Sequence, residues 1–561
     1  FATGPQKRMW QRPLSRTLSR TLTPNTLVRR RSHDALMRLR ILPRATVFAA
    51  LCLGQRATAF AAGHASSTIT TATTATTTTT TANLTSDCHA ILRAAVQAVN
   101  PVQAIQRHVR VEFDELIVMD GSSSNRKPSV YDLTGYDRIV VIAFGKASSS
   151  MAATLAEQLD SVKDKVSGIV ITKDGHATAD EQEILKRYHL KLYEAAHPVP
   201  DERSVEASEH ILQYLQATAS ENTLVLTCIS GGGSALCCAP VPPLTLGDLQ
   251  ATNKALLAAG WSIDAMNVLR KRLDRVKGGR LAAAAAYPST MVSLILSDVV
   301  GDPLDLIASG PTVPDTSSWE TAQKLVQQSS SVLQLPPAVT KLLQDGVDGK
   351  VPDSPPPTHP AFEASQTVLV GNTALAVQAA AVQAEKLGYH PVVLATQLQG
   401  EAKELANIFI GMAQQLSQPV APFGLTLPAA IFTGGESTVT FETSGKGGRN
   451  QEMGLAVALG LDKSNISAPV VFASIGTDGT DGPTDAAGAL VDEHTVAALG
   501  RAEARSALQQ HDAYPYLDQT LPDGTSPLIK TGPTGTNVAD VQVLLIGKPA
   551  HNMVEKSDDG L

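Results

Sequence analysis

The residues best suited to chemistry sit where apolar runs end in glycine. Leu224–Ile229 leads directly into Ser230-Gly231-Gly232-Gly233-Ser234. Three glycines allow a sharp turn that brings backbone N–H groups against an anion, with hydroxyls at both ends. A helix starting after Ser234 would add its dipole to that site. The same turn can also simply join a strand to a helix. It is neither G-x-x-x-x-G-K-[ST] nor G-x-G-x-x-G. A second turn, Phe144-Gly145-Lys146-Ala147-Ser148, places a lysine at the end of an apolar run. Lysine in that position can neutralise a transferring phosphoryl group or a substrate carboxylate. The stretch Met266–Gly279 is basic. At helical spacing Asn267, Arg270 and Asp274 share a face, Lys271 and Lys277 lie on neighbouring ones, and Gly278-Gly279 stops the helix. Such a face is either solvated or an anion site.

Carboxylates gather behind two further apolar runs, as Ser297-Asp298-Val299-Val300-Gly301-Asp302 and as the Asp478, Asp481 and Asp485 series in 476–485. Acids on glycine-rich loops suit magnesium, which takes one or two carboxylates together with waters and phosphate oxygens. Asp-Gly turns also occur without any ligand. Arg449 follows Gly447-Gly448 at the start of a helical run, where its guanidinium could clamp a carboxylate or phosphate. Thr433-Gly434-Gly435-Glu436 and Thr531–Asn537 are further hydroxyl- and glycine-rich loops.

The elements that must position these residues read as α/β. Strands are expected at Ile139–Phe144, Gly168–Ile171, Leu224–Ile229, Met291–Leu296, Thr367–Val370, Pro391–Leu394, Ala429–Phe432, Val470–Ser474 and Val541–Ile546. Their near-continuous apolar character marks strands covered on both faces, which predicts doubly wound sheets. Helices are expected between them, at Ala374–Leu387 and Glu401–Leu416 among others, and earlier at Pro101–His108, where proline fits the first turn. The chain divides on composition into a leader (1–63), a Thr-rich low-complexity linker (64–86), a larger domain (87–350), a Pro/Gly/Asp-rich linker (351–361), a second domain (362–548) and a tail (549–561).

Composition sets limits. Of 561 residues, 43% are hydrophobic and 18% charged, ordinary for a globular protein. Residues 1–60 carry a net charge of +11, which leaves −18 for the rest of a chain of net −7. An acidic body argues against nucleic-acid binding. The Arg-rich, acid-poor leader suits a mitochondrial presequence, and the stretch from Met37 to Phe60 offers a plastid or secretory alternative. Its apolar run is too short to span a bilayer, so no stable membrane insertion is expected. The five cysteines (Cys52, Cys88, Cys228, Cys237, Cys238) form no C-x-x-C pair and read as free thiols.

Together these segments resemble the glycerate kinases of the glycerate 2-kinase (MOFRL) type. The resemblance runs from about residue 87 to 547 and rests on FGKAS (144–148), HPVPDE (197–202), SGGGSAL (230–236), MNVLRK (266–271), KGGRLA (277–282), SDVVGD (297–302), SGPT (309–312), TGGEST (433–438), GGRNQE (447–452), GTDGTDGPTDAAGA (476–489) and TGPTGTN (531–537). It implies a larger Rossmann-like doubly wound domain and a smaller α/β domain with the active site in the cleft between them. It implies transfer of the ATP γ-phosphate to D-glycerate with Mg²⁺, giving 2-phosphoglycerate and, less commonly, 3-phosphoglycerate. It also leaves a homodimer open. The family's catalytic lysine falls on Lys146 and its active-site arginine on Arg449. By extension, Ser230, Gly231, Gly232, Gly233, Ser234, Asn267, Arg270 and Lys277 would hold substrate or phosphate, and Asp298, Asp478 and Asp481 the metal. The sequence departs from the family pattern at Cys237-Cys238, Arg272, Asp274 and Ala539. None of these touches Lys146, Arg449 or the triple glycine, so they bear on substrate preference. A hydroxypyruvate reductase would need a dinucleotide fingerprint, which the chain lacks, and a non-catalytic binding homologue should have lost Lys146, Arg449 or the acidic loops.

Overall fold

The computed structural model describes residues 81–119, 127–329, 331–418, 425–441, 444–464 and 466–549. The leader, Cys52, the Thr-rich tract up to residue 80 and the tail from 550 lie outside the described residues. Two six-stranded sheets organise the rest. A small antiparallel sheet precedes them, formed by β1 (Val109–Glu112), β2 (Glu115–Val118) and β3 (Ser129–Asp132).

The first large sheet contains β4 (Arg138–Phe144), β5 (Val166–Lys173), β6 (Leu190–Ala195), β7 (Thr223–Ile229), β8 (Thr290–Leu296) and β9 (Ser365–Gly371), in the order β6-β5-β4-β7-β8-β9. All its pairings are parallel, so every strand delivers its C-terminal loop to the same edge. β7 is buried along its whole length and β4 from its second residue onward, which accounts for their unbroken apolar sequences. β9 lies beyond the 351–361 segment yet completes this sheet beside β8.

The second sheet contains β10 (His390–Glu401), β11 (Ala429–Thr438), β12 (Val470–Gly476), β13 (Gly488–Asp492), β14 (Leu528–Ile529) and β15 (Asp540–Ile546), in the order β10-β11-β15-β12-β13-β14. It is mixed. Only β10 and β11 run parallel, and β15 is antiparallel to both its neighbours. The apolar runs of β12 and β15 reflect burial on both faces, which a central antiparallel strand also has.

One apolar core is continuous through both sheets. It unites the helices Thr81–Ala98, Ser148–Gln158 and Thr373–Lys386 with one face of each sheet. The opposite face of the second sheet is covered by Ala402–Leu416 and Arg449–Asp462, and that of the first sheet by Glu202–Thr218. A helical satellite between 244 and 347 has its own cluster around Trp319 and Leu342.

Three expectations need correction. The first helix begins at Thr81, inside the expected linker, because Leu84 and Cys88 are buried in the shared core. The basic helix spans Ile263–Leu273, so Asp274 lies beyond it in extended conformation, pairs with Pro240, and reaches the cavity of Asn267 and Arg270 from outside the helix. The 351–361 segment is anchored: Asp353 and Ser354 bond to the buried Arg272. Cys88, Cys228, Cys237 and Cys238 are free and buried, with their thiol pKa values pushed up by burial. Among the described residues, no helix is long and apolar enough to cross a membrane.

Candidate functional site

The loops after β4, β7 and β8 meet at the C-terminal edge of the first sheet, where open α/β sheets bind ligands. Ser230 is buried, and its hydroxyl accepts from the Ala147 amide at 3.0 Å, which ties the triple-glycine turn to the Lys146 turn. Gly231 lies directly against Asp298, and a Cβ there would collide with the carboxylate. Gly232 has φ +81°, and a Cβ on it would stand 3.0 Å from His197 Nε2 and 3.3 Å from Lys146 Cγ. Both positions therefore require glycine, one for close approach and one for backbone conformation. The helix after the turn is a single turn, Gly233–Leu236, so its dipole is small.

Ser234 continues the site outward. Its hydroxyl lies 2.8 Å from that of Ser309, which donates to the buried Asn267 Oδ1 at 2.8 Å. Ser309 holds φ +62° after Ala308 at +49°, an uncommon backbone held in place by this hydroxyl chain. Arg270 donates through Nε to Asn253 at 2.8 Å. Lys277 is buried against Asp274 and the Cys237 carbonyl. These residues line one cavity of about 260 Å³ together with His197, Asp298, Leu249 and Leu306. Lys271 and Arg272 point elsewhere. Arg272 is 0% exposed and bonds Asp315 at 2.6 Å, while Lys271 bridges Asp305 and Asp315. The two cations beside Arg270 thus belong to a buried structural network.

The second sheet contributes the other wall. Gly448 precedes the helix Arg449–Asp462, and Arg449 grips the fully buried Asp540 with Nε at 2.6 Å and Nη2 at 2.8 Å while Nη1 reaches Glu436 at 3.0 Å. Asp481 does different work. Its carboxylate accepts from the Asn450 amide at 3.1 Å, the Gln451 amide at 2.9 Å and the Asn450 side chain, so it caps that helix. Burial raises its pKa to about 6 against these stabilising bonds. Asp478 closes an Asx turn on Thr480 through Oδ1.

The two walls touch. Asn537 donates to Asp298 Oδ2 at 3.3 Å across the cleft, and within the first wall Asn372, just after β9, donates to Asp302 Oδ2 at 2.6 Å. A second cavity of about 540 Å³ joins Val300 from the first wall to Glu436, Arg449 and Asp481 from the second. Burial pushes the pKa of Asp298 up, opposed by Lys146 and reinforced by Asp478. Glu436 and Asp540 are raised by burial and lowered by Arg449. The arrangement sets Lys146 and Arg449 among an excess of carboxylates, an environment suited to handling a polyanion with a divalent cation.

Sequence reasoning did not single out Asp540, because it opens an apolar strand and carries no glycine signal. His197, Glu436 and Asn537 lie within the HPVPDE, TGGEST and TGPTGTN motifs, whose sequence alone assigns them no role.

Two α/β sheets that meet at a charged cleft define an α/β protein with a ligand site between its two halves. Comparison with known proteins then fixes the family. A domain of unknown function (DUF4147) matches residues 87–344, and the MOFRL family matches 429–540. A glycerate 2-kinase from Pyrococcus horikoshii is 36% identical, covering 81% of this chain and 95% of that protein. A protein from Agrobacterium vitis, provisionally named a hydroxypyruvate reductase, is 39% identical over 73% of this chain and 100% of its own length. The solved glycerate kinase of Thermotoga maritima superposes with a TM-score of 0.67 at 32% identity, covering 83% of this chain and all of that one. The chain belongs to the MOFRL-type glycerate kinase family.

Proposed function

We propose that this protein transfers the γ-phosphate of ATP to the 2-hydroxyl of D-glycerate, giving 2-phosphoglycerate and ADP. The observation that carries the reading is the convergence of Lys146, Asp298 and Asn537 from opposite walls of one cleft, with Arg449 and Glu436 on the same second wall. Phosphoryl transfer needs positioning and charge neutralisation more than covalent chemistry, and these residues supply both. Lys146 and the turn Ser230–Ser234 meet the phosphates. Arg449 keeps N–H groups beyond those spent on Asp540 and presents them to the acceptor's carboxylate. The acceptor hydroxyl attacks the γ-phosphorus as the bond to the bridging oxygen breaks. Its proton passes to a carboxylate of the second wall. Glu436 is the best matched, since burial moves its pKa toward neutrality.

The donor set fits magnesium. Asp298 and Asp478 carry hard oxygens and Asp298 feels the charge of Asp478, whereas Asp481 spends its carboxylate on helix amides. Bound there with phosphate oxygens, Mg²⁺ would neutralise charge on the donor. The reductase reading draws on the Agrobacterium vitis name. A dinucleotide fingerprint would have to follow a strand of the first sheet, and the turns after β4 and β7 read FGKAS and SGGGSAL instead.

The test is turnover of D-glycerate with ATP and Mg²⁺, with the product passed to enolase. Direct use by enolase establishes the 2-phosphate, and a need for a mutase establishes the 3-phosphate. NADPH-dependent reduction of hydroxypyruvate without ATP turnover would overturn the kinase reading. On targeting, the proposal is the mitochondrion, read from the Arg-rich leader, and import of a leader–reporter fusion tests it.

A further inference from the structure

We propose that a buried polar rung of the second sheet, Thr433–Gln542–Ser474, is a positioning device for Arg449, acting through Asn450 and Asp540. It rests on the kinase reading, in which Arg449 takes the acceptor's carboxylate.

β15 lies between β11 and β12, so its residues face a partner on either side. On the face under the helix Arg449–Asp462 the rungs are Ala429–Ile546–Val470, Ile431–Leu544–Phe472, Thr433–Gln542–Ser474 and Gly435–Asp540–Gly476. The first two are apolar and buried, as a covered face requires. The third is polar, although Thr433 and Ser474 are 0% and Gln542 1% exposed. Burying three polar side chains costs free energy unless each is bonded, and aliphatic residues would serve packing better. The fourth rung holds Asp540 between two glycines. No cross-strand side chain covers it there, which leaves its carboxylate to Arg449 and Asn450.

Hydrogen bonds join the third rung to the fourth in one direction. A carboxylate only accepts. The Asn450 side chain donates to Asp540 and, through Nδ2 at 3.2 Å, to Asp481 Oδ1. Its Oδ1 must then accept, and the Ser474 hydroxyl donates to it at 2.5 Å. With its proton committed, Ser474 accepts from Gln542 Nε2 at 3.4 Å. Gln542 Oε1 is thereby turned to Thr433, whose hydroxyl donates to it at 2.7 Å. Turning the Asn450 amide over would set its oxygen against two carboxylates, and Asn450 is too deeply buried for water to repair that. The chain so holds Asp540 as the partner of Arg449 Nε and Nη2, while Nη1 reaches Glu436 in the second cavity. None of the three rung residues lines either cavity of the cleft, so the rung acts on substrate through Arg449.

The test uses the full chain and reads the KM of D-glycerate beside that of ATP. Ser474→Ala removes the hydroxyl that holds Asn450, and Thr433→Val removes the first donor at nearly constant shape. Ser474→Ala should raise the glycerate KM about tenfold and Thr433→Val about threefold, with the KM of ATP within about twofold of the parent. Thr433→Ser keeps the hydroxyl and should behave as the parent. Unchanged glycerate KM in the first two variants would overturn the proposal. An equal rise in both KM values would do the same, because general loosening of the sheet gives that result. So would a Thr433→Ser protein that matches Thr433→Val, since the hydroxyl would then not be what acts.

A second arm needs no substrate. In the Arg449→Met/Asp540→Leu protein Asn450 has lost one of its two carboxylates, so Ser474→Ala should lower the urea midpoint about half as much as in the parent. Equal losses in the two backgrounds would overturn the relay. If Ser474→Ala does not fold, Thr433→Val carries both arms. A parent that never phosphorylates glycerate would sink the kinase reading alone, and the urea arm would still judge the rung.

Discussion

Asn537 donates to Asp298 across 3.3 Å, and that bond links the last glycine-rich loop of the second half to the acidic loop after β8 in the first. It holds the Asp298 carboxylate against Gly231 and in reach of Lys146. A hydrogen bond to a charged group contributes about 1.5–3 kcal/mol. Asn537→Ala should therefore lower kcat/KM about ten- to a hundredfold and also lower the melting temperature, since the same bond joins the two halves. Asn537→Asp should do worse, because two facing carboxylates repel. Steady-state kinetics with thermal melts checks both.

Arg449 is both a cleft residue and the counter-ion of Asp540, which is 0% exposed. Removing one partner of such a pair leaves a buried charge, at a cost of about 3–5 kcal/mol. Arg449→Ala should lose activity and stability together. The double variant Arg449→Met with Asp540→Leu should recover most of the stability and none of the activity. Urea unfolding beside kinetics separates the two effects.

Much of this arrangement was legible in the sequence. The nine expected strands all exist, the triple-glycine turn and Asp298 line one cavity with Lys146 beside Gly232, and Arg449 lines the other. What stayed hidden has physical causes. β6, an edge strand, is buried only at its two ends and breaks its apolar residues with Lys191 and Glu194, and β14 is two residues long. The direction of β15 was not readable, since burial on both faces gives the same sequence in either direction. Charge alone could not say that Arg270 lines a cavity while Arg272, two residues on, is buried against Asp315. That difference comes from the satellite helices packed around Trp319.

That buried network gives a third expectation. Arg272→Ala strands Asp315, whose carboxyl Arg272 and Lys271 hold well below its ordinary range. The cost should be about 3–5 kcal/mol, with the KM of D-glycerate unchanged in the protein that remains folded. Denaturant titration and kinetics at low temperature measure it.

His197 makes a prediction about pH. Its folded pKa, about 4, lies below the ordinary histidine value, so in the window from 4 to 6.5 the unfolded chain binds the extra proton. Stability from this group therefore rises as pH rises through that window and is flat above it. His197→Asn should reduce the rise in melting temperature between pH 4.5 and 6.5 relative to the parent. Parallel curves for the two proteins would contradict the neutral imidazole.

The most direct test of the account is glycerate-dependent ADP release by the full chain and by Lys146→Ala. The account predicts ATP- and Mg²⁺-dependent turnover of D-glycerate by the parent, and a fall of about a hundred- to a thousandfold in kcat for the variant at unchanged melting temperature. A folded parent that releases no ADP with glycerate, or a Lys146→Ala protein that keeps its turnover, would contradict it.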